Sequence, residues 1–379
     1  MDLGLFAPQT LKKRFRDWVG PLDLWALQYP FVGEAREFYR KHLRKPISGL
    51  SESGAELNSD FETGIPDAFI VDPGNICNLR CPFCPTGLNL QSHQRMMKLE
   101  DYQVILEKIA PFAQHIGLYN WGEPLLNKNL PEMIEATHAL RIQTIIDTNL
   151  SLSDLTDAEA ERLVSSGLSV LRASIDGASQ ESYEKYRVHG DFARTQNNLR
   201  ALVAAKKRLG LASPSITWNF LINGHNESEI ETARRAARDI GVRIRFALME
   251  IWDGEKGKGW ESTFHNKTSL LARLKRHVAS ASKDLPIPLR DLRLHDKLTP
   301  FCSQPFSVMF IAPDGHVMPC CNVWGSEYSM GNLLEEDLEE IWNGDRFRKS
   351  RAFLFRYGPR QDGGSVCETL PCPLKNKAL

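Results

Sequence analysis

No cysteine falls between Cys84 and Cys302, although the 379-residue chain has eight. Three thiols share one short stretch, Cys77, Cys81 and Cys84, and five follow residue 300: Cys302, Cys320, Cys321, Cys367 and Cys372. Such clustering argues against a framework of disulfides and for metal or cluster ligation. An excess of either charge is also missing, because Lys+Arg and Asp+Glu both number 47. That balance leaves no global electrostatic footprint for nucleic acid or an acidic polymer. No apolar run approaches the roughly 20 residues that span a bilayer, and the opening MDLGLFAPQTLKKRFRDW lacks a secretory hydrophobic region. The expectation is a cytoplasmic protein with no integral membrane segment and no nucleic-acid partner. Apolar residues make up 42% of the chain, enough for a real core. The length favours one large domain with a smaller one.

Residues 1–62 are polar and somewhat basic, and read as an N-terminal helical extension and linker. Leu11, Phe15, Trp18 and Val19 recur at helical spacing beside Lys12, Lys13, Arg14 and Arg16. This amphipathic helix suits docking on the main domain or resting on a membrane surface. SGLSESGAELNSD then reads as a flexible connection. Residues 63–253 alternate strand and helix. Strands are expected at Ala68–Val71, Ile116–Tyr119, Thr144–Asp147, Val170–Ile175, Ile216–Ile222 and Ile244–Leu248. Tyr102, Ile105, Leu106 and Ile109 mark one intervening helix; others open at Pro131 and cover Ser228–Asp239. Six β-α units predict a parallel sheet with outer helices, either an open doubly wound sheet or a partial barrel. In both, function sits at the C-terminal ends of the strands. Residues 254–300 form a charged connector with an amphipathic helix near 270–278. In residues 301–379, FSVMFIAPDGHVMPCC is a hairpin around a Pro-Asp-Gly turn. A helix follows with Leu334, Leu338, Ile341 and Trp342 on one face, ended by Asn343-Gly344.

The three-cysteine loop NICNLRCPFCPTG directly follows the first strand. Thiolates are soft ligands for zinc, copper(I) or iron–sulfur clusters. A structural zinc ion would need a fourth ligand close by, and His93 is the only histidine near in sequence. An iron–sulfur cube held by three cysteines instead leaves one iron open, and open metal positions mark catalysis.

Cys-x3-Cys-x2-Cys, with Phe83 before the last cysteine, resembles the radical S-adenosylmethionine (radical SAM) superfamily. The resemblance implies a partial (β/α)6 TIM-like barrel in the α/β class. It implies a 4Fe–4S cluster on Cys77, Cys81 and Cys84, whose free iron chelates the amino and carboxylate groups of S-adenosylmethionine. Reductive cleavage then yields a 5′-deoxyadenosyl radical that abstracts hydrogen from substrate, with electrons from an external reductant such as flavodoxin or ferredoxin. Gly122-Glu123-Pro124 resembles the glycine–glutamate segment that meets the methionine amino group, with Trp121 where a second glycine often stands; an ordinary strand-to-helix turn explains it as well. Asn149 is a polar contact or a turn residue. Ser174 and Asp176 look like ribose and carboxylate contacts, and alternating strand positions aim both one way. Arg187 matches a partner for the methionine carboxylate or a solvent-facing helix charge. Asn219 is offered for the adenine or ribose side.

The C-terminal thiols resemble the SPASM extension or its shorter twitch form, a small hairpin-plus-helix auxiliary-cluster domain. Five cysteines rather than seven imply one auxiliary 4Fe–4S cluster, on Cys302, Cys320, Cys367 and Cys372, with zinc as the competing metal. Cys321 is left as a buried thiol, a substitute ligand or a hydrogen-atom donor to a substrate radical. A closed auxiliary cluster suits electron transfer, and with it oxidation, epimerisation or cross-linking. Residues 1–62 show no leader-peptide-binding pattern, so the sequence favours a small polar, sugar- or aminoglycoside-like substrate over a ribosomally made peptide. A non-catalytic iron–sulfur electron carrier is the reading from another class. Glu250, Trp252, Asp253 and Trp260 follow the last strand as substrate-cavity or surface residues.

Overall fold

A computed structural model describes residues 61–91, 93–249, 259–264, 292–293, 302, 304–356 and 365–369. The N-terminal amphipathic helix, Glu250, Trp252, Asp253, the helix near 270–278 and Cys372 lie outside the described residues.

Six parallel strands run in sequence order: β1 (Ala68–Val71), β2 (His115–Gly117), β3 (Gln143–Thr148), β4 (Val170–Ser174), β5 (Ser215–Ile222) and β6 (Arg243–Leu248). Helices cross between them: α1 (Leu99–Ile109), α2 (Leu130–Ala139), α3 (Asp157–Ser165), α4 (Gln180–Tyr186), α5 (Phe192–Arg208) and α6 (Ile230–Ile240). This is the mostly parallel α/β sheet of a partial TIM-like barrel, and each pattern has a local cause. β1, AFIV, is buried at every position because both of its faces are covered. α1 buries Tyr102, Ile105, Leu106 and Ile109, the stripe expected from spacings of three and four. α3 opens on a capping box: Thr156 Oγ1 accepts from the Glu159 amide while the Glu159 carboxylate accepts from Thr156. α6 ends at Gly241, whose φ of 87° turns the chain left-handed. On the helix-facing side of the sheet, Trp218 is fully buried and Phe220 meets Phe246 at 5.5 Å. Burying one such aromatic contributes roughly 3 kcal/mol.

Further strands extend the sheet beyond the expected six. β7 (Leu292–Arg293), within the expected connector, pairs in parallel with β6. α7 (Gln304–Ser307) leads into β8 (Val308–Ile311), which lies parallel to β1 from Ala68↔Val308 to Val71↔Ile311. β9 (Val317–Met318) closes the hairpin, giving the order β7-β6-β5-β4-β3-β2-β1-β8-β9. The hairpin is therefore continuous with the core sheet.

The helix expected from Leu334 begins later, as α8 (Leu338–Trp342). Asp337 accepts from the Glu339 amide and caps it, which excludes Leu334 from the helix. β2 also stops at Gly117 rather than Tyr119. A further helix, α9 (Asp345–Arg356), follows Asn343-Gly344, and α10 (Val366–Thr369) carries Cys367. Arg351 of α9 is fully buried, 4.4 Å from the Trp342 ring centre, and donates to the carbonyls of Pro305 and Phe61. The Trp342 indole donates to Thr63 Oγ1 at 2.9 Å. These bonds fasten α8 and α9 to the segment that enters β1.

Candidate active site

The loop after β1 is stapled before it carries chemistry. Asn75 Nδ2 donates to Gln91 Oε1 and the His93 carbonyl, while its Oδ1 accepts from the Arg95 amide. Asp72, buried at the end of β1, accepts from the amides of Gly74 and Trp121, which joins this loop to the turn after β2. Burial pushes its carboxyl up to about 7 against those hydrogen bonds.

Between the staples sit the three thiols. Cys81 is buried, and Cys77 and Cys84 are half-buried. Each of two sulfurs faces N–H donors. Cys77 Sγ accepts from the Leu79 amide at 3.4 Å and lies 3.7 Å from Asn149 Nδ2, while Cys81 Sγ lies 3.9 Å from Arg187 Nη1. Burial pushes the Cys77 thiol up to about 12 and the Cys81 thiol to about 11, with Arg187 pulling the latter down. Among the described residues no three His, Cys, Asp or Glu side chains form a site for one ion. A cube takes one thiolate per iron, so it calls for thiols spread around a shared space. Soft donors, N–H groups aimed at sulfur and mutual electrostatic coupling of all three thiols fit such a cluster.

The turn after β2 packs directly on this loop. A Cβ at Gly122 would be driven into the Gly74 carbonyl oxygen and would crowd the Ile76 carbonyl. Gly122→Ala therefore forces the cysteine loop outward, with a cost of about 1–3 kcal/mol in backbone strain. S-adenosylmethionine affinity is expected to fall about tenfold, by equilibrium dialysis, with reduced iron loading. Glu123 is buried; it accepts from Thr148 Oγ1 at 2.6 Å and from the Leu125 and Asn149 amides, tying the end of β2 to the end of β3. Pro124 opens a short helical turn behind it. Asn149 is buried and bridges to Asn78 Oδ1 at 3.0 Å, so the ends of β1 and β3 meet beside Cys77.

Asp176 stands just past β4 and is fully buried. Its Oδ2 accepts from Arg187 Nε at 2.7 Å and Nη2 at 2.6 Å, and its Oδ1 accepts from the Leu221 amide. The geometry makes it the holder of Arg187, which follows α4. Burial pushes the Asp176 carboxyl up, and Arg187 opposes that. Ser174 pairs in register with Asn219 on β5. Phe83 packs edge-on against Trp260 at 5.3 Å and near Tyr186 at 6.4 Å, with Arg187 5.1 Å from the Tyr186 ring centre. An aromatic wall thus flanks the thiol loop, and Trp260 belongs to it.

At the hairpin end, Cys320 is coupled electrostatically to Cys321, Cys302 and Cys367, and burial pushes its thiol up. Four described thiols share one neighbourhood, a donor set suited to an iron–sulfur cluster. The Trp121 indole donates to the Val323 carbonyl at 3.1 Å and meets Trp324 edge-on at 5.7 Å. The residue that departs from the double-glycine pattern therefore docks the β2 turn onto the segment after Cys320–Cys321.

Several site residues gave no motif in the sequence: Asn75, Asn78 and Asp72 as staples, and Tyr119, Asp147 and Arg172 inside the barrel. The Arg172 guanidinium donates to Asp147 and lies 4.8 Å from the Tyr119 ring centre. Cys321 is close enough to Tyr119 to disfavour its ionisation. Arg172 and Ser174 share strand parity, which was the one available signal.

Comparison with known proteins agrees with this geometry. The Radical SAM superfamily model matches residues 71–237, and the SPASM iron–sulfur cluster-binding domain model matches residues 302–373. The PqqA peptide cyclase of Granulibacter bethesdensis is 25% identical over 303 residues, covering 76% of each chain. The GTP 3′,8-cyclase of Alkaliphilus metalliredigens is 24% identical over 311 residues, covering 78% of this chain and 94% of its own. SuiB of Streptococcus suis, solved bound to S-adenosylmethionine, superposes with a TM-score of 0.59 at 16% identity over 90% of this chain and 78% of its own; that likeness concerns the fold. No described helix is long and apolar enough to cross a membrane. A three-thiol loop locked to a glycine–glutamate turn at the strand ends, with further thiols on the joined hairpin, places this chain in the radical SAM superfamily with a SPASM iron–sulfur domain, an enzyme that uses S-adenosylmethionine and iron–sulfur clusters.

Proposed function

We propose that this radical SAM enzyme abstracts hydrogen from a peptide substrate and completes a net oxidation such as an intramolecular cross-link. The observation that carries the radical chemistry is the thiol loop itself: Cys77, Cys81 and Cys84 at the C-terminal end of β1, with Asn149 and Arg187 aimed at two of the sulfurs. Cys77, Cys81 and Cys84 would hold the catalytic cluster, and Cys302, Cys320, Cys367 and Cys372 an auxiliary one. When bound, these groups and S-adenosylmethionine supply a 5′-deoxyadenosyl radical and an electron sink. The protein's own part is positional. Asp176 fixes Arg187 where a cofactor carboxylate can pair with it. Glu123 and Asn149 fix the strand ends beside Cys77, and Phe83, Tyr186 and Trp260 shield the site from water. An external one-electron donor of flavodoxin or ferredoxin type supplies the reducing electron.

For the substrate, the sequence alone favoured a small polar molecule with a peptide as the alternative. The extended match to a peptide cyclase, through both the core and the SPASM region, supports the peptide reading better. The test is anaerobic reconstitution with dithionite and S-adenosylmethionine, then incubation with precursor peptides encoded beside this gene and, separately, with amino-sugars. Formation of 5′-deoxyadenosine together with a two-hydrogen mass loss in a peptide is expected. Mass loss only in an amino-sugar returns the assignment to the small-molecule reading. Absence of 5′-deoxyadenosine with both clusters occupied assigns the chain to electron carriage.

A further inference from the structure

Residues 259–264 bring Trp260 to the site, and the turn after β5 grips them. The Gly224 amide donates to the Trp260 carbonyl at 2.9 Å. Glu227 accepts three further bonds from the same segment. Its Oε2 accepts from Ser262 Oγ at 2.6 Å and from the Thr263 amide at 2.8 Å, and its Oε1 accepts from Thr263 Oγ1 at 3.0 Å. Ser262 Oγ accepts in turn from the Phe264 amide, and both residues are buried. The approach is close: a Cβ at Gly224 would lie 2.8 Å from the Gly259 carbonyl oxygen and 3.0 Å from that of Glu261. This grip sets the place of the half-buried Trp260 ring. The ring stands 5.3 Å from Phe83 of the thiol loop, 6.0 Å from Tyr186 beside Arg187, and 4.6 Å from His225. One indole thus joins three segments at the strand ends.

We infer that Glu227 is a positioning residue for the cofactor: it latches the strap 259–264 so that Trp260 stays against the thiol loop and retains S-adenosylmethionine. This rests on the cofactor placement proposed above, beside Cys77, Cys81 and Cys84, and adds what holds the cofactor there. A loose segment would have to be ordered each time the cofactor binds, at a cost in backbone entropy. A strap already fastened avoids that cost. Hydrogen bonds to a carboxylate are stronger than those to a neutral acceptor, which suits a strap whose Glu261 and Thr263 face solvent.

The test is equilibrium dialysis of S-adenosylmethionine against reconstituted holoenzyme, wild type and variant. Glu227→Ala is expected to weaken binding about tenfold, and Glu227→Gln, which keeps a hydrogen-bonding group on the strap, should recover most of that loss. Trp260→Ala should weaken binding at least as much as Glu227→Ala. The double variant should be no weaker than Trp260→Ala, because the latch acts only through the strap. Gly224→Ala displaces the strap while leaving the carboxylate in place, so it should also weaken binding and keeps the test independent of any folding defect at Glu227. Hydrogen exchange over 259–264 in the cofactor-free protein should be faster in Glu227→Ala than in wild type. Unchanged affinity in Glu227→Ala or Gly224→Ala, unchanged exchange, no recovery in Glu227→Gln, or losses that multiply to about a hundredfold in the double variant overturns the inference. The 5′-deoxyadenosine yield of the same wild-type preparation reports separately on the radical chemistry.

Discussion

Exchange of Cys81 for alanine is expected to abolish 5′-deoxyadenosine formation, a fall of about 10³-fold or more, equivalent to about 4 kcal/mol in the barrier. Cys81 is buried with Arg187 Nη1 3.9 Å from its sulfur, and Cys77 and Cys84 are already assigned to the same proposed cluster. Iron content should drop by one cluster while the auxiliary absorption persists. The control is Cys320→Ala, where the reverse is expected: the auxiliary cluster is lost and cleavage of S-adenosylmethionine survives. Cys321→Ala should keep the iron of both clusters, since Cys321 is left over from the proposed ligand set. Chemical iron analysis and product chromatography on the three variants separate these outcomes. Equal iron loss from Cys321→Ala and Cys320→Ala would instead make Cys321 a ligand.

Arg187→Met carries the second large effect, on stability as well as on cofactor binding. Removing the guanidinium strands Asp176, which is fully buried with only the Leu221 amide left as a donor. Breaking a buried pair from one side costs about 3–5 kcal/mol. The sign of the pH dependence follows from the direction of the shift. Burial already raises the Asp176 carboxyl, and loss of Arg187 raises it further. A carboxyl raised in the folded state contributes stability that is fully present below its unfolded pKa and is lost as pH rises from there through the folded pKa. The variant should therefore be closest to wild type in mild acid and fall away towards neutrality in denaturant melts followed by circular dichroism. Binding of S-adenosylmethionine should weaken more than about tenfold at every pH. Asp176→Asn leaves Arg187 in place at the mouth of the site, so its melting deficit should be smaller and carry no such pH trend.

Much of this molecule was legible in its sequence, for identifiable reasons. β1 and its thiol loop were visible because burial on both faces demands an unbroken apolar run and cluster chemistry demands thiols at fixed spacing. The strand ends could be placed because each βα unit repeats the same local pattern. What stayed hidden were relations between distant segments. AFIV and VMFI are separated by more than 200 residues and pair in parallel, but periodicity reports only which way side chains face, not which strand lies alongside. Asp147 and Arg172 meet only through the register of β3 on β4. Leu334, Leu338 and Ile341 satisfied a helical period, yet Asp337 captured the Glu339 amide and began the helix at the later residue. Trp121 looked like a lapse from a glycine pattern until its indole was found on the Val323 carbonyl. Asp176 is instructive in the same way, because strand parity pointed it to the site but not to Arg187 as its partner.

The cluster proposed on Cys77, Cys81 and Cys84 would keep one iron open for the sulfonium cofactor. Mössbauer spectra of oxygen-free, isotopically enriched protein, taken before and after addition of S-adenosylmethionine, address it directly. One iron site of one cluster should change its coordination signature while the remaining irons stay as they were. Spectra that are identical in every component, with both clusters shown to be fully assembled, would contradict it.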